Sequence, residues 1–232
     1  MKALAVITAR GGSKRIPRKN IKEFCGKPIL AYSIEAALGA GVFDEVMVST
    51  EDAEIAKIAE AHGAKVPFFR SSESANDYAT TADVLMEVLE RYKDIGMEFD
   101  YVCCIYPTAP FVSAEKLKRA MTLLAGQEAD SLLPVVRFGF PPQRSVVIED
   151  GFLQFKWPEH MLTRSQDLEP FYHDAGQFYC VRTKSFLEQK RLVMEKTVPM
   201  ELPESEVQDI DTEEDWKVAE AKYRAVKKET TV

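Results

Sequence analysis

Ala9-Arg10-Gly11-Gly12-Ser13-Lys14-Arg15-Ile16-Pro17-Arg18-Lys19-Asn20 comes directly after a short apolar run that starts at Ala3 and ends at Ile7. The run has the length of a buried strand and is too short for a solvent-facing helix. Two adjacent glycines then permit positive φ and a close backbone approach to a ligand. Arg10, Lys14, Arg15, Arg18 and Lys19 put five cations into ten residues of a chain whose formal net charge is −7. A glycine turn rich in N–H groups and ringed by cations suits a polyphosphate. A solvated basic loop is the alternative, because charge runs are common on surfaces. Position favours the ligand, since open α/β sheets bind at the carboxyl ends of their strands. The spacing Gly-x-x-x-x-Gly-Lys-Ser/Thr is absent, so the stretch is not a Walker A loop, and it lacks the Gly-x-Gly-x-x-Gly of dinucleotide binders.

Outward from this loop, strand and helix signals alternate. A helix is expected from Pro28 to Leu38, stopped by Gly39 and Gly41, then a strand from Glu45 to Ser49. Asp52 to Ala61 reads as a helix capped by Ser49 or Thr50 and ended by Gly63, and Val66 to Phe69 as a short strand. Further helices are expected from Thr80 to Tyr92, from a Ser113 cap to Leu124 and from Thr212 to Val226, with the tail after Ala225 frayed. Strands are expected from Tyr101 to Tyr106, Ser131 to Val136 and Gly176 to Arg182, with an edge strand from Lys196 to Glu201. The alternation predicts an α/β fold, a doubly wound, mostly parallel sheet with helices on both faces. At 232 residues and 46% apolar composition the chain fits one domain with a sizeable core.

Residues 137–175 break the pattern. Asp150-Gly151 between two alternating stretches signals a hairpin, and Phe152, Phe155 and Trp157 on it need cover. Residues 137–170 are therefore expected to be an inserted dimerisation hairpin, with a mobile lid as the alternative. The acidic balance argues against a nucleic-acid surface, and no apolar run reaches the ~20 residues that span a bilayer. The N-terminus does not read as a signal peptide, so a cytoplasmic location is expected. Cys25, Cys103, Cys104 and Cys180 have no metal-site spacing, and the last three sit in apolar runs as small buried side chains.

Asp209-Ile210-Asp211-Thr212 is the second constellation. In an extended conformation Asp209 and Asp211 share a face while Ile210 points the other way. Paired carboxylates suit Mg²⁺, which keeps substrate phosphates and waters in its shell. The other reading is that Asp211 or Thr212 caps the last helix, which leaves Asp209 without a role. Arg70 and the polar stretch to Thr81 are likewise either a binding loop or solvated surface.

The glycine loop resembles the signature loop of the cytidylyltransferases that activate nonulosonic, sialic-type sugars as CMP-sugars, and the resemblance extends over most of the chain. It implies a Rossmann-like nucleotidyltransferase fold, with the triphosphate of CTP held by Ala9, Arg10, Gly11, Gly12, Ser13, Lys14 and Lys19. It places Asn20 at the base and Arg70, Ala79 and Thr81 against the nucleotide. Asp209 and Asp211 become the Mg²⁺ site, and they join Arg10 and Lys14 as the catalytic set. Tyr106-Pro107-Thr108-Ala109-Pro110 begins with Tyr where the sialic branch has Gln, and Asp174-Ala175-Gly176-Gln177-Phe178-Tyr179 also departs from that branch. With Arg164-Ser165-Gln166-Asp167, both resemble the pseudaminic acid branch. Tyr106, Thr108, Arg164 and Gln177 are then the expected sugar-side residues. The implied partners are CTP, a nonulosonic acid and a second copy of the chain, whose Arg164 would reach across a homodimer. No side chain offers itself as a general base.

Overall fold

The computed structural model describes residues 2–76 and 78–229. The apolar run forms β1 (Ala3–Thr8), and a short hairpin of β2 (Glu23–Phe24) and β3 (Lys27–Pro28) leads into α1 (Ile29–Ala40). β4 (Glu45–Ser49), α2 (Ala53–Ala61), the single turn α3 (Ser72–Ala75) and α4 (Thr81–Asp94) follow. Then come β5 (Tyr101–Ile105), α5 (Ala114–Gly126) and β6 (Ser131–Arg137). The hairpin β7 (Val146–Glu149) and β8 (Phe152–Phe155) precedes β9 (Tyr172–Asp174) and β10 (Phe178–Arg182). α6 (Thr183–Gln189), β11 (Thr197–Glu201) and α7 (Glu213–Glu229) close the chain.

The main sheet runs β11-β6-β10-β5-β1-β4, with β9 paired to β6. β1 is parallel to β4 and β5, and β6 to β11, whereas β10 runs antiparallel to both β5 and β6. The sheet is therefore mostly parallel, with β10 and β9 reversed. Alternation along β1 feeds two cores. Ala3, Ala5 and Ile7 pack with α1, α2 and α5, while Leu4 and Val6 pack with Leu85, Val88 and Tyr92 of α4. Cys103, Cys104 and Cys180 are fully buried in these layers. A third cluster joins Ile16 of the basic loop to Phe24, Trp216 and Ile210. That cluster brings the residues around Ile210 up against the loop after β1.

Local chemistry explains most boundaries, and several differ from expectation. α1 begins at Ile29 and runs through Gly39 to Gly41, whose φ of 63° ends it. α2 is capped by Asp52, which accepts from the backbone of Glu54 and Ile55, and not by Ser49 or Thr50. Thr80 and Asp83 form a reciprocal capping box on α4. Val66 to Phe69 is not a strand. Pro67 has no N–H to give, and pairing stops at a single Met47–Lys65 bridge. α6 is an element that the sequence pattern does not announce. α7 continues to Glu229, and residues 230–232 of the tail lie outside the described residues.

The break after β6 is a closed excursion. β9 returns antiparallel on β6, with Val135 opposite Asp174 and Arg137 opposite Tyr172, and the Phe138 N–H donates to the Phe171 carbonyl at 2.9 Å. Residues 138–171 thus leave and rejoin the sheet at one point. β7 and β8 pair antiparallel across Asp150 (φ 52°) and Gly151 (φ 81°), two positive values that fit a twisted two-residue turn. Phe152 is 74% exposed, Phe155 is half-buried and Trp157 is partly exposed. Among the described residues no helix is long and apolar enough to cross a membrane.

Candidate active site

The loop after β1 is pinned from below. The Ala9 N–H donates to the Ser49 carbonyl at 3.0 Å, and the Gly11 N–H donates to Glu51 Oε1 at 2.7 Å. A Cβ on Gly11 would lie 2.6 Å from Asp52 Oδ2, so the approach to the start of α2 requires glycine there. Arg18, at φ 55°, sends its guanidinium back to Asp52 and Glu54. Asn20 is buried and its amide donates to the Arg10 carbonyl at 2.8 Å.

The loop, the residues after β5 and the start of α4 enclose a cleft of about 520 Å³ at the carboxyl ends of β1 and β5. Arg10, Ser13, Lys14, Lys19, Asn20, Arg70, Ala79, Thr81, Tyr106, Thr108 and Asp211 all line it. Ala9 is buried beneath the loop, and Gly11 and Gly12 form the turn itself. Arg70 is 8% exposed and holds the strand end, donating from Nε to Ser49 Oγ (3.0 Å) and from Nη2 to the Ser49 carbonyl (2.6 Å). Burial lowers its pKa, an effect that the nearby Glu51 opposes, yet a guanidinium keeps its charge.

The two carboxylates near the last helix stand apart from its cap. Thr212 Oγ1 accepts from the Asp215 N–H at 3.2 Å, and Asp215 Oδ2 accepts in return from the Thr212 N–H at 2.8 Å. The cap is therefore Thr212. The Asp211 side chain turns to Arg15 (2.8 Å) and Lys19 (3.6 Å), and Lys19 Nζ also donates to the Ile210 carbonyl at 2.6 Å. Asp209 stands beside Asp211. Partial desolvation, and then the charge of Asp211, raise its pKa. Two carboxylates that repel one another in reach of a basic loop have the donor chemistry of a hard divalent cation.

Three further expected residues are not on the cleft wall: Asp209, which is exposed next to Asp211, Gln177 and Arg164. Gln177 is 2% exposed. Its amide donates to the Glu206 carbonyl at 2.7 Å, its Oε1 is buried without a partner, and its carbonyl accepts from the Tyr106 N–H at 2.9 Å. It lies under Tyr106 because the turn into β10 carries its side chain inward. Arg164 sits on the excursion and pairs with Asp167 at 2.7 Å. Not anticipated are the pairing of Arg15, one of the loop cations, with Asp211, and the part of Glu51 and Asp52, which hold the loop. Their signal was an acid pair right after β4, facing a loop of cations.

The Arg18–Asp52 pair gives a stability prediction. Arg18, helped by the backbone of α2, holds the Asp52 carboxyl at about 2, below the ordinary range near 4. The folded state favours the carboxylate, so this contribution is complete above about pH 4 and is lost as pH falls toward 2. Asp52→Asn keeps a capping oxygen and loses the charge that meets Arg18, so it should lower stability at pH 7 by about 1–2 kcal/mol and flatten the acid limb between pH 4 and 2. Urea midpoints across that range check it. An unchanged midpoint and acid limb would show that the pair contributes nothing.

A model of the cytidylyltransferase family matches residues 4–206. The chain is 40% identical over 225 residues to the pseudaminic acid cytidylyltransferase of Campylobacter jejuni, covering 97% of each. It is 34% identical to the CMP-N,N'-diacetyllegionaminic acid synthase of Legionella pneumophila, covering 95% of each. Among solved structures it resembles CMP:2-keto-3-deoxy-manno-octonic acid synthetase complexed with CTP, at a TM-score of 0.70 and 19% identity, over 95% of this chain and 98% of that one. That last likeness is one of fold.

Proposed function

We infer that this chain, which belongs to the cytidylyltransferase family, transfers CMP from CTP to the anomeric hydroxyl of a nonulosonic acid, with pseudaminic acid the first choice, and releases pyrophosphate. The observation that carries this reading is one cleft in which the glycine loop, buried Arg70, Tyr106 and Asp211 meet. Arg10 and Lys14 bind the triphosphate and offset the charge that gathers on the departing pyrophosphate. Gly11 and Gly12 keep side chains away from the phosphates. Asn20, Arg70 and Thr81 orient the nucleoside end, and Tyr106 and Thr108 face the sugar. Catalysis is then mainly alignment of the attacking hydroxyl with the α-phosphorus and neutralisation of charge.

Asp209 and Asp211 would hold Mg²⁺, as two carboxylates separated by one residue that offer the oxygen donors a hard divalent cation takes. When bound, the ion supplies further charge neutralisation and makes the attacking hydroxyl more acidic. The test is to incubate the protein with CTP, Mg²⁺ and a panel of nonulosonic acids and to identify products by mass spectrometry. CMP-pseudaminic acid and pyrophosphate are expected. Preference for a legionaminic or sialic acid would reassign the sugar, and no product from any acid would leave a nucleotide-binding protein without the activity.

We also propose a homodimer, with residues 137–170 of one chain over the cleft of the other, working in the cytoplasm. The exposed Phe152, Leu153, Ile148 and Leu162 of the excursion support it, because one chain leaves them in water. An interface above ~2,000 Å² of total buried surface is expected. Sedimentation should give about twice the 26.2 kDa chain mass. Arg164→Ala and Asp211→Asn chains, each inactive, should recover activity after subunit exchange, because one site of a mixed dimer keeps both residues. A fully active monomer, or exchange without recovery, contradicts the arrangement.

A further inference from the structure

We propose that Asp174 and Tyr179 are positioning residues that hold the Tyr106 ring in place and so set which sugar the cleft accepts. The inference rests on the reading above that the Tyr106 end of the cleft takes the sugar.

Tyr106 follows β5 directly. Its backbone is fixed from two sides, by donation to the Gln177 carbonyl at 2.9 Å and by acceptance from Ser33 Oγ at 2.8 Å. Its side chain, partly buried, meets Thr81 and Tyr179. The hydroxyl stands 3.5 Å from Thr81 Oγ1, at the limit of a hydrogen bond. Tyr179 packs against the ring, its centroid 5.4 Å away at an interplanar angle of 57°. Tyr179 is 6% exposed, and its hydroxyl donates to Asp174 Oδ2 at 2.6 Å. The other oxygen, Asp174 Oδ1, accepts from the Gly176 N–H at 2.7 Å. Burial raises the Tyr179 pKa, so the phenol stays a neutral donor. Both oxygens of one carboxylate thus fix the turn that leads from β9 to β10 and the ring packed against Tyr106.

The position of Asp174 adds to this. It is the last residue of β9, opposite Val135, and so stands at the foot of the excursion. A carboxylate at that foot, a buried phenol and a phenol in the cleft form one continuous series. Nonulosonic acids present several hydroxyl and acylamino groups whose stereochemistry differs between isomers. A phenol offers one hydroxyl for hydrogen bonding and a flat face for a methyl, and both discriminate only if the ring is held still. Tyr179 as simple core filling would account for its burial and would predict an effect on stability alone.

The test uses the whole chain, with Tyr179→Phe, Asp174→Asn and the double variant. Tyr179→Phe keeps the ring and removes only the hydroxyl. Loss of this one charge-assisted hydrogen bond should raise the KM for the preferred sugar about tenfold and narrow its advantage over other nonulosonic acids. The KM for CTP should stay within about twofold, which also shows that the cleft has folded. The double variant should be no worse than Asp174→Asn alone, because Tyr179→Phe removes only a bond that Asp174→Asn already disturbs. An unchanged sugar KM and preference with only a lower melting temperature overturns the proposal. So does equal damage to CTP and sugar, or strict additivity. Wild-type protein that converts no nonulosonic acid overturns the proposal and the functional reading together. An active wild type with a silent Tyr179→Phe overturns the proposal alone.

Discussion

Asp211→Asn should reduce Mg²⁺-dependent pyrophosphate release by about a thousandfold or more, the largest effect expected of any single change. The substitution removes one negative charge and keeps the shape. In its place stands an amide whose one oxygen stays with Arg15 and Lys19, the two cations that Oδ1 now meets at 2.8 and 3.6 Å, and whose NH₂ replaces the other oxygen. A site that needs acceptors would gain donors. The effect on folding should be small, because the cap of α7 belongs to the Thr212–Asp215 pair, and Asp211 contributes only its backbone N–H to Asp215 Oδ2 at 3.1 Å. Asp215→Asn supplies the contrast. It weakens the cap, where hydrogen bonds from Thr212 and Asp211 lower the Asp215 pKa, and it should cost stability while sparing turnover. A pyrophosphate assay titrated with Mg²⁺, alongside calorimetry of Mg²⁺–CTP binding, separates the two variants. Near-normal turnover in folded Asp211→Asn would remove the carboxylate from the chemistry.

Features written in local backbone chemistry could be read from the sequence. The capping signal at Ser113 and the Asp150-Gly151 turn each act within a few residues of themselves, whereas Gly11 serves a close approach to Asp52 from across the fold. The choice between cap and ligand at Asp211 could not be made, because Asp211, Thr212 and Asp215 are all competent in sequence and only the fold shows which one bonds. The same holds for Gln177. Its position beside Tyr106 is a matter of strand pairing between β10 and β5, and nothing local shows that the side chain turns inward to Glu206. β9 escaped notice because Tyr172, His173 and Asp174 are all exposed and carry no alternating pattern. Val66 to Phe69 failed in the opposite way. Its apolar residues suggested a strand, but the proline between them denies the ladder a donor.

The five cations of the loop should prove unequal, and Lys14→Ala tests this most sharply. Arg18 is committed to Asp52 and Glu54, and Lys19 to the Ile210 carbonyl, so both serve the loop's own shape. Lys14 is exposed and lines the cleft together with Arg10. That place on the wall puts its charge within reach of phosphates, whereas the Arg18 guanidinium points back to α2. Removing Lys14 should weaken CTP binding and lower turnover together, by about a hundredfold in kcat/KM, since the same ammonium would meet the triphosphate and the leaving pyrophosphate. Lys14→Arg should restore part of the loss, because the charge returns on a longer, planar group. Arg18→Ala should show the reverse pattern, a lower melting temperature with a smaller effect on CTP affinity at low temperature. Isothermal titration with CTP and initial rates of pyrophosphate release at several salt concentrations decide between them. If Lys14→Ala binds CTP as tightly as the parent while Arg18→Ala does not, the phosphates sit against α2 and not over the glycine turn. If neither changes CTP affinity, the loop is a solvated basic turn and the nucleotide site lies elsewhere.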